Sequence, residues 1–192
     1  MRHDGWQPDA APIGSGLGCH RMTTVLSGYD LAHLVQPKLP DAVVDAMPEW
    51  AEVKRNRLLE VCTFMRDDPE LDFRFLSSLT GVDRLDHFEV VYHLLSISRN
   101  QATTLKIRCD DHDNPEAPSV VPVWRGAHLQ EREAFDLLGI RFQGHPDLRR
   151  IFLWEGFPGY PLRKDWLNFP GGQMAGLERY PGEPGGKLEG RG

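Results

Sequence analysis

Glu131, Arg132 and Glu133 stand side by side in "EREAFDLLGIRFQGHPDLRR", and Asp136, Gly139, His145, Pro146, Asp147, Arg149 and Arg150 follow within the same stretch. Two chemistries suit such a set. A carboxyl of raised pKa could exchange a proton with His145, which is general acid/base work. Alternatively the carboxylates and guanidiniums pair with one another and hold the backbone in place. His145 runs straight into Pro146 and Asp147, a turn-forming sequence, and no serine or cysteine nucleophile or metal set accompanies it. The ionic reading therefore leads.

The element that must carry these groups is a helix over 127–138. At about 100° per residue, Ala127, Ala134, Leu137 and Leu138 share one broad face with Phe135 at its margin. Gly139 follows as a residue free to take positive φ and end the helix. Arg132 and Asp136 form an i,i+4 pair on the opposite face, with Glu133 beside them. Glu131 is the anomaly, because it falls inside the apolar stripe. A carboxylate there needs a cation or must stay protonated. The expectation is that Glu131 or Glu133 pairs with Arg149 or Arg150, clamping the helix to the segment that follows.

Upstream, Trp50, Val53, Leu58, Val61 and Met65 fall at helical spacing and predict a helix from Glu49 to about Arg66. "LDFRFLSSLTGVD" reads as a short strand stopping at Gly81. In "HFEVVYHLLSIS" Val90, Tyr92 and Leu94 point one way, Val91, His93, Leu95 and Ile97 the other, which predicts a central strand. Leu105, Ile107 and Cys109 alternate with Lys106 and Arg108 on a half-exposed strand, its antiparallel hairpin partner. "CDDHDNPEAP" lacks the ligand alternation and glycine of a calcium loop and reads as a solvated acidic loop. "SVVPVW" reads as extended.

The 192 residues carry 22 Lys/Arg against 28 Asp/Glu, a net charge of −6 that argues against a nucleic-acid binder. From Arg141 onward the balance reverses, with eight basic residues against six acidic ones, so an acidic partner surface would meet the C-terminal third. Cys19, Cys62 and Cys109 are too dispersed for a disulfide framework or a cluster site and read as reduced thiols. No apolar run approaches the length of a bilayer span. Residues 1–21 read as a disordered leader whose "GSGLG" lacks the strand and acidic residue of a dinucleotide loop. Residues 22–150 form the domain. Residues 151–192 form an extended partner-docking tail, in which Trp166, Phe169, Met174 and Tyr180 lack a core. Within it "PLRKDW" sets Pro161, Leu162, Arg163, Lys164 and Asp165 on extended backbone, since Pro158 and Pro161 preclude a helix. An apolar anchor beside two cations is an interface pattern.

"EREAFDLLGIRFQGHPDLRRI" together with "PLRKDW" resembles the signature of the 30-kilodalton subunit of NADH–quinone oxidoreductase, respiratory complex I. The resemblance covers roughly residues 48–166, with Trp166 standing where that family usually carries tyrosine. It implies an α+β domain, a mainly antiparallel sheet packed with helices, in the peripheral arm of a hetero-oligomeric, proton-translocating complex on the cytoplasmic side of the bacterial plasma membrane. Membrane contact would come only through the complex. It implies further that this chain binds no cofactor, while NADH, FMN, iron–sulfur clusters and quinone belong to other subunits. The implied neighbours are the large quinone-site subunit and the subunit holding the terminal iron–sulfur cluster. Related domains serve membrane-bound hydrogenases, formate hydrogenlyase and ferredoxin-dependent complexes.

Overall fold

A computed structural model describes residues 22–157 and 159–166. The leader, Pro158 and residues 167–192 lie outside the described residues, and with them "GSGLG", Cys19, Phe169, Met174 and Tyr180. The chain runs β1 (Thr24–Val25), α1 (Gly28–Val35), β2 (Val43–Met47), β3 (Trp50–Val53), a 3-10 turn at Arg55–Arg57 and α2 (Leu58–Asp67). Then come β4 (Phe75–Asp83), β5 (Phe88–Ser96), β6 (Gln101–Cys109), β7 (Glu116–Pro118), α3 (Ala127–Leu138) and β8 (Arg141–Gln143). The fold is α+β, as its periodicities require.

Six strands form one sheet in the order β2-β3-β6-β5-β4, with β1 paired to β6 off that path, and β7 and β8 form a second, two-stranded sheet. β5 lies between β4 and β6 and is antiparallel to both, so its two-sided apolar pattern did mark an interior strand. The β5–β6 hairpin closes as the sequence predicts, with Val90 opposite Ile107 and Tyr92 opposite Leu105. Phe88, Val90, Tyr92 and Leu94 meet Leu31 and Val35 of α1, Leu58, Val61 and Met65 of α2, and Ala127 and Leu138 of α3 in one core.

Four sequence expectations need correction. The helix foreseen from Glu49 begins only at Leu58, and its first third is strand β3, antiparallel to β2. Ala51 and Val53 are buried and alternate with Trp50 and Glu52, a period of two that the coincidental helical spacing of Trp50 and Val53 obscured. "SVVPVW" is not extended: the Val120 carbonyl accepts from the amides of Val123 and Trp124, both at 2.9 Å, in a turn where Pro122 has no N–H to lose. β4 does not stop at Gly81 but runs on to Asp83, because Gly81, Val82 and Asp83 keep pairing with Val90, Glu89 and Phe88 of β5, and the bare backbone of Gly81 leaves room for the side chains of Leu138 and Ile140. Lys106 is buried, not half-exposed: its ammonium sits 3.3 Å from the centroid of the Trp50 ring and 3.1 Å from Glu89 Oε1, while Glu52 stands 3.7 Å away.

Gly28, at the start of α1, is where the helix touches the β2–β3 turn. A Cβ there would stand 1.9 Å from the Trp50 carbonyl oxygen and 2.3 Å from that of Met47, both backbone atoms. Gly28→Ala is accordingly expected to destabilise the chain by more than about 3 kcal/mol in chemical denaturation, since neither element can yield alone. A loss below about 1 kcal/mol would show that α1 can shift freely.

Candidate functional site

α3 spans Ala127–Leu138 and ends on Gly139, whose φ of +78° and N–H to Phe135 O (2.9 Å) make it a left-handed cap. The glycine also makes room. A Cβ on it would fall 2.6 Å from the Tyr160 ring and 2.8 Å from Arg163 Nη2, so residues 159–166 lie across the helix end as a strap.

Asp136 is the anchor of the ionic set. Its side chain is fully buried; Oδ2 accepts the amides of Ile151 (2.9 Å), Phe152 (2.7 Å) and Leu153 (3.0 Å), and Oδ1 accepts Arg150 Nη1 at 3.2 Å. Burial alone would raise the pKa of this carboxyl. The three amides and Arg150 outweigh it and hold the group below the ordinary aspartate value. Arg132, on the same side, donates from Nε to Arg149 O (3.0 Å) and from Nη2 to Arg150 O (3.3 Å). Arg149 turns to Asp147 Oδ2 at 3.0 Å, and that hydrogen bond is the chief cause of Asp147's lowered pKa. One helix turn thus grips five consecutive residues, Arg149 to Leu153, mostly by their backbone.

This overturns the expected pairing of Glu131 or Glu133 with Arg149 or Arg150. The arginines go to Asp147 and Asp136 instead. Glu133 faces solvent, and Glu131 is fully buried with Oε1 on the Val120 amide at 2.7 Å. The physical reason is that the amides of 151–153 converge on Asp136, and backbone donors leave no trace in residue types. The face opposite the apolar stripe is buried as well, because the chain returns over it.

His145 is tied by both ring nitrogens. Nδ1 accepts the Asp147 amide at 2.9 Å and Nε2 faces the His128 carbonyl at 3.0 Å, which fixes the Nε2–H tautomer. Burial, with Arg132 and His128 nearby, lowers its pKa, outweighing the His128 carbonyl and Asp147. Pro146 and Asp147 form the turn that follows, after Gly144 at φ +81°. A histidine held this way braces a loop; neither nitrogen is open to a substrate.

The strap is held by the second motif. Leu162 N donates to Leu137 O (3.0 Å), and Arg163 donates from Nε to Leu138 O (2.7 Å) and from Nη1 to His112 O (3.2 Å). Two carbonyls that α3 would leave orphaned at its C-terminus are thereby satisfied. The guanidinium lies over Phe88 (5.2 Å) and Tyr160 (4.9 Å), and Arg150 stacks on Tyr160 from 5.1 Å while donating to Gly159 O at 3.1 Å. Lys164 N donates to Asp83 Oδ2 at 2.8 Å; Asp83 Oδ1 accepts from Leu85 N at 2.7 Å and faces His112 Nε2 at 3.2 Å. His112 also stacks on Phe88, 4.6 Å between centroids, so the "CDDHDN" loop is not wholly solvated. Arg163, expected as an outward anchor, points into its own chain. Pro161 is half-buried in the strap, whereas Lys164 and Asp165 are exposed. What does face outward is apolar: Phe152 is 63%, Trp154 46% and Leu162 58% exposed. Sequence reasoning on the motif alone did not single out Phe152 or Trp154, whose only signal is a large side chain beside a glycine-rich turn.

The two free thiols of the described residues, Cys62 and Cys109, are buried, and burial raises both pKa values. No three His, Cys, Asp or Glu side chains among the described residues are grouped to hold a metal ion.

α3 is thus clamped to the segment that follows it, and Phe152, Trp154 and Leu162 are left exposed. The family model described as "Respiratory-chain NADH dehydrogenase, 30 Kd subunit" matches residues 51–170, and the chain belongs to this family. An NADH-quinone oxidoreductase subunit of Rhizobium etli (strain CIAT 652) is 50% identical over 117 residues, 59% of this chain and 62% of that protein. An NADH-quinone oxidoreductase subunit of Roseiflexus sp. (strain RS-1) is 46% identical over 134 residues, 66% of this chain and 76% of that one. The chain therefore matches less than two thirds of the length of the first of these relatives. In fold it is similar to a chain of the membrane-bound sulfane sulfur reductase, an archaeal respiratory membrane complex, with a TM-score of 0.58 at 24% identity over 72% of this chain and 84% of that one.

Proposed function

We propose that this chain is a scaffold subunit, without redox chemistry of its own, in the peripheral arm of a proton-translocating NADH–quinone oxidoreductase. NADH, FMN, iron–sulfur clusters and quinone belong to its neighbours. Two partners suit it: the large quinone-site subunit and the subunit that holds the terminal iron–sulfur cluster. On this reading the complex keeps the chain at the cytoplasmic side of the membrane. Among the described residues no helix is long and apolar enough to cross a membrane.

The observation that carries this reading is how the ionisable groups of the motif are spent. Asp136, Arg132, Arg150, His145 and Arg163 are all engaged by their own chain, mainly by backbone, and none is presented to a substrate. Phe152, Trp154 and Leu162 are large apolar side chains that the clamp leaves exposed, the kind of side chain a partner can bury. Mild-detergent extraction of membranes, native electrophoresis and mass spectrometry of the co-migrating chains test the assignment. The chain is expected in the band that oxidises NADH. Migration alone, or with a nickel-binding large subunit and no NADH oxidation, overturns it.

A further inference from the structure

Glu131 is the one buried carboxyl of the motif that no cation reaches. It is fully buried on α3, in the stripe shared by Ala127, Ala134 and Leu138. Oε1 accepts the Val120 amide, whereas Oε2 has no hydrogen-bond partner. The arginines of the motif are committed elsewhere: Arg132 to the carbonyls of Arg149 and Arg150, Arg149 to Asp147, and Arg150 to Asp136. The groups that do face this region are neutral. Ser119 approaches from the turn, and the Tyr92 phenol of β5, fully buried and without a hydrogen bond of its own, has Glu131, Cys62 of α2 and Cys109 of β6 as its ionisable neighbours. An anion at Oε2 would find no cation and only alcohols or thiols to turn to.

We propose that Glu131 is a proton-operated catch: as a neutral acid it seats α3 on the Val120 turn, and its ionisation unseats that turn. The catch matters because the same helix carries Arg132 and Asp136, which grip residues 149–153, and ends in the carbonyls that hold the strap. Loosening the turn loosens the seat of the whole presenting surface. Burial, opposed by Ser119 and the Val120 amide, pushes the Glu131 carboxyl up to about 7, which sets the range in which the catch works.

The sign follows from linkage. A folded pKa above the unfolded value means that the native chain keeps a proton the unfolded chain has released. The stabilising contribution is complete below the ordinary glutamate value, declines as pH rises towards 7, and is gone above it. Lowered carboxylates such as Asp136 and Asp147 act in the opposite sense at more acid pH, so Glu131→Gln in the same chain isolates the effect.

Amide hydrogen exchange on the full chain, corrected for intrinsic rates, together with carbon-13 NMR of labelled glutamate carboxyls, tests the proposal. In wild type, protection at Val120 is expected to fall roughly tenfold between pH 6 and 8, the linkage approaching one proton per pH unit below the midpoint and levelling off above it. Glu131→Gln should remove that dependence. Ser119→Ala should move the midpoint upward, because its hydroxyl supports the charged form. Flat protection in wild type, an unchanged pH dependence in Glu131→Gln, or a Glu131 carboxyl already ionised below pH 6 would overturn it; the NMR arm stands even if the variants do not fold.

Discussion

Asp136→Ala is expected to destabilise the chain by about 3–5 kcal/mol and to release residues 149–153, the largest single-residue effect among the motif side chains. The deletion strands the amides of Ile151, Phe152 and Leu153 and the Arg150 guanidinium, four donors that now share one carboxylate. Denaturant unfolding reads the first consequence and tryptic cleavage after Arg149 or Arg150 the second. Asp136→Asn keeps an acceptor oxygen but sets an amide donor among donors, so it should recover only part of the loss. A cost below about 1 kcal/mol for the alanine variant would mean that the extension is held elsewhere.

The second large effect falls on the strap. Arg163 donates to two carbonyls on different elements, Leu138 O and His112 O, while its flat face covers Phe88 and Tyr160. Arg163→Ala should cost about 2 kcal/mol of strap docking, since bonds from a charged donor are worth roughly 1.5–3 kcal/mol. Protection of the Leu162 amide, which donates to Leu137 O, should then fall about 30-fold. Arg163→Lys should not restore it, because an ammonium cannot serve two diverging carbonyls and stack on an aromatic face together. Amides of β5 beyond Phe88, the residue that Arg163 covers, should change far less. Equal loss in both places would make Arg163 a general stability residue instead of a latch.

Legibility in the sequence followed the physics of each element. α3 and Gly139 were readable because a helix announces its buried stripe every three to four residues and its end by a glycine. The β5–β6 hairpin was readable because two-residue alternation on both faces has few other solutions. β3 was hidden because Trp50 and Val53 are three apart, which puts them on one face of a helix but on opposite faces of the strand they form. The oddity of Glu131 was visible, but its partner was not. The sequence offers arginines, and the structure supplies the Val120 amide, a donor every residue but proline possesses. Asp136 looks like an exposed i,i+4 partner of Arg132 for the same reason. Arg163 and Lys164 look like a matched pair of surface cations, yet the C-terminus of α3, where Gly139 caps the helix, draws one of them inward. The resemblance to the 30-kilodalton subunit family carried what residue chemistry alone did not, namely the family to which the chain belongs.

The role proposed for the clamp is to present apolar side chains to a partner. Phe152 and Leu162 are both more than half exposed, and neither side chain makes one of the clamp's hydrogen bonds. The double substitution Phe152→Ser, Leu162→Ser should leave the isolated chain's unfolding free energy within about 0.5 kcal/mol of wild type, as surface changes do. In membranes the same variant should lower the amount of assembled, NADH-oxidising complex at least about tenfold, as loss of two interface anchors predicts. Full assembly with the variant chain incorporated would contradict that role and return the strap to the standing of a structural brace.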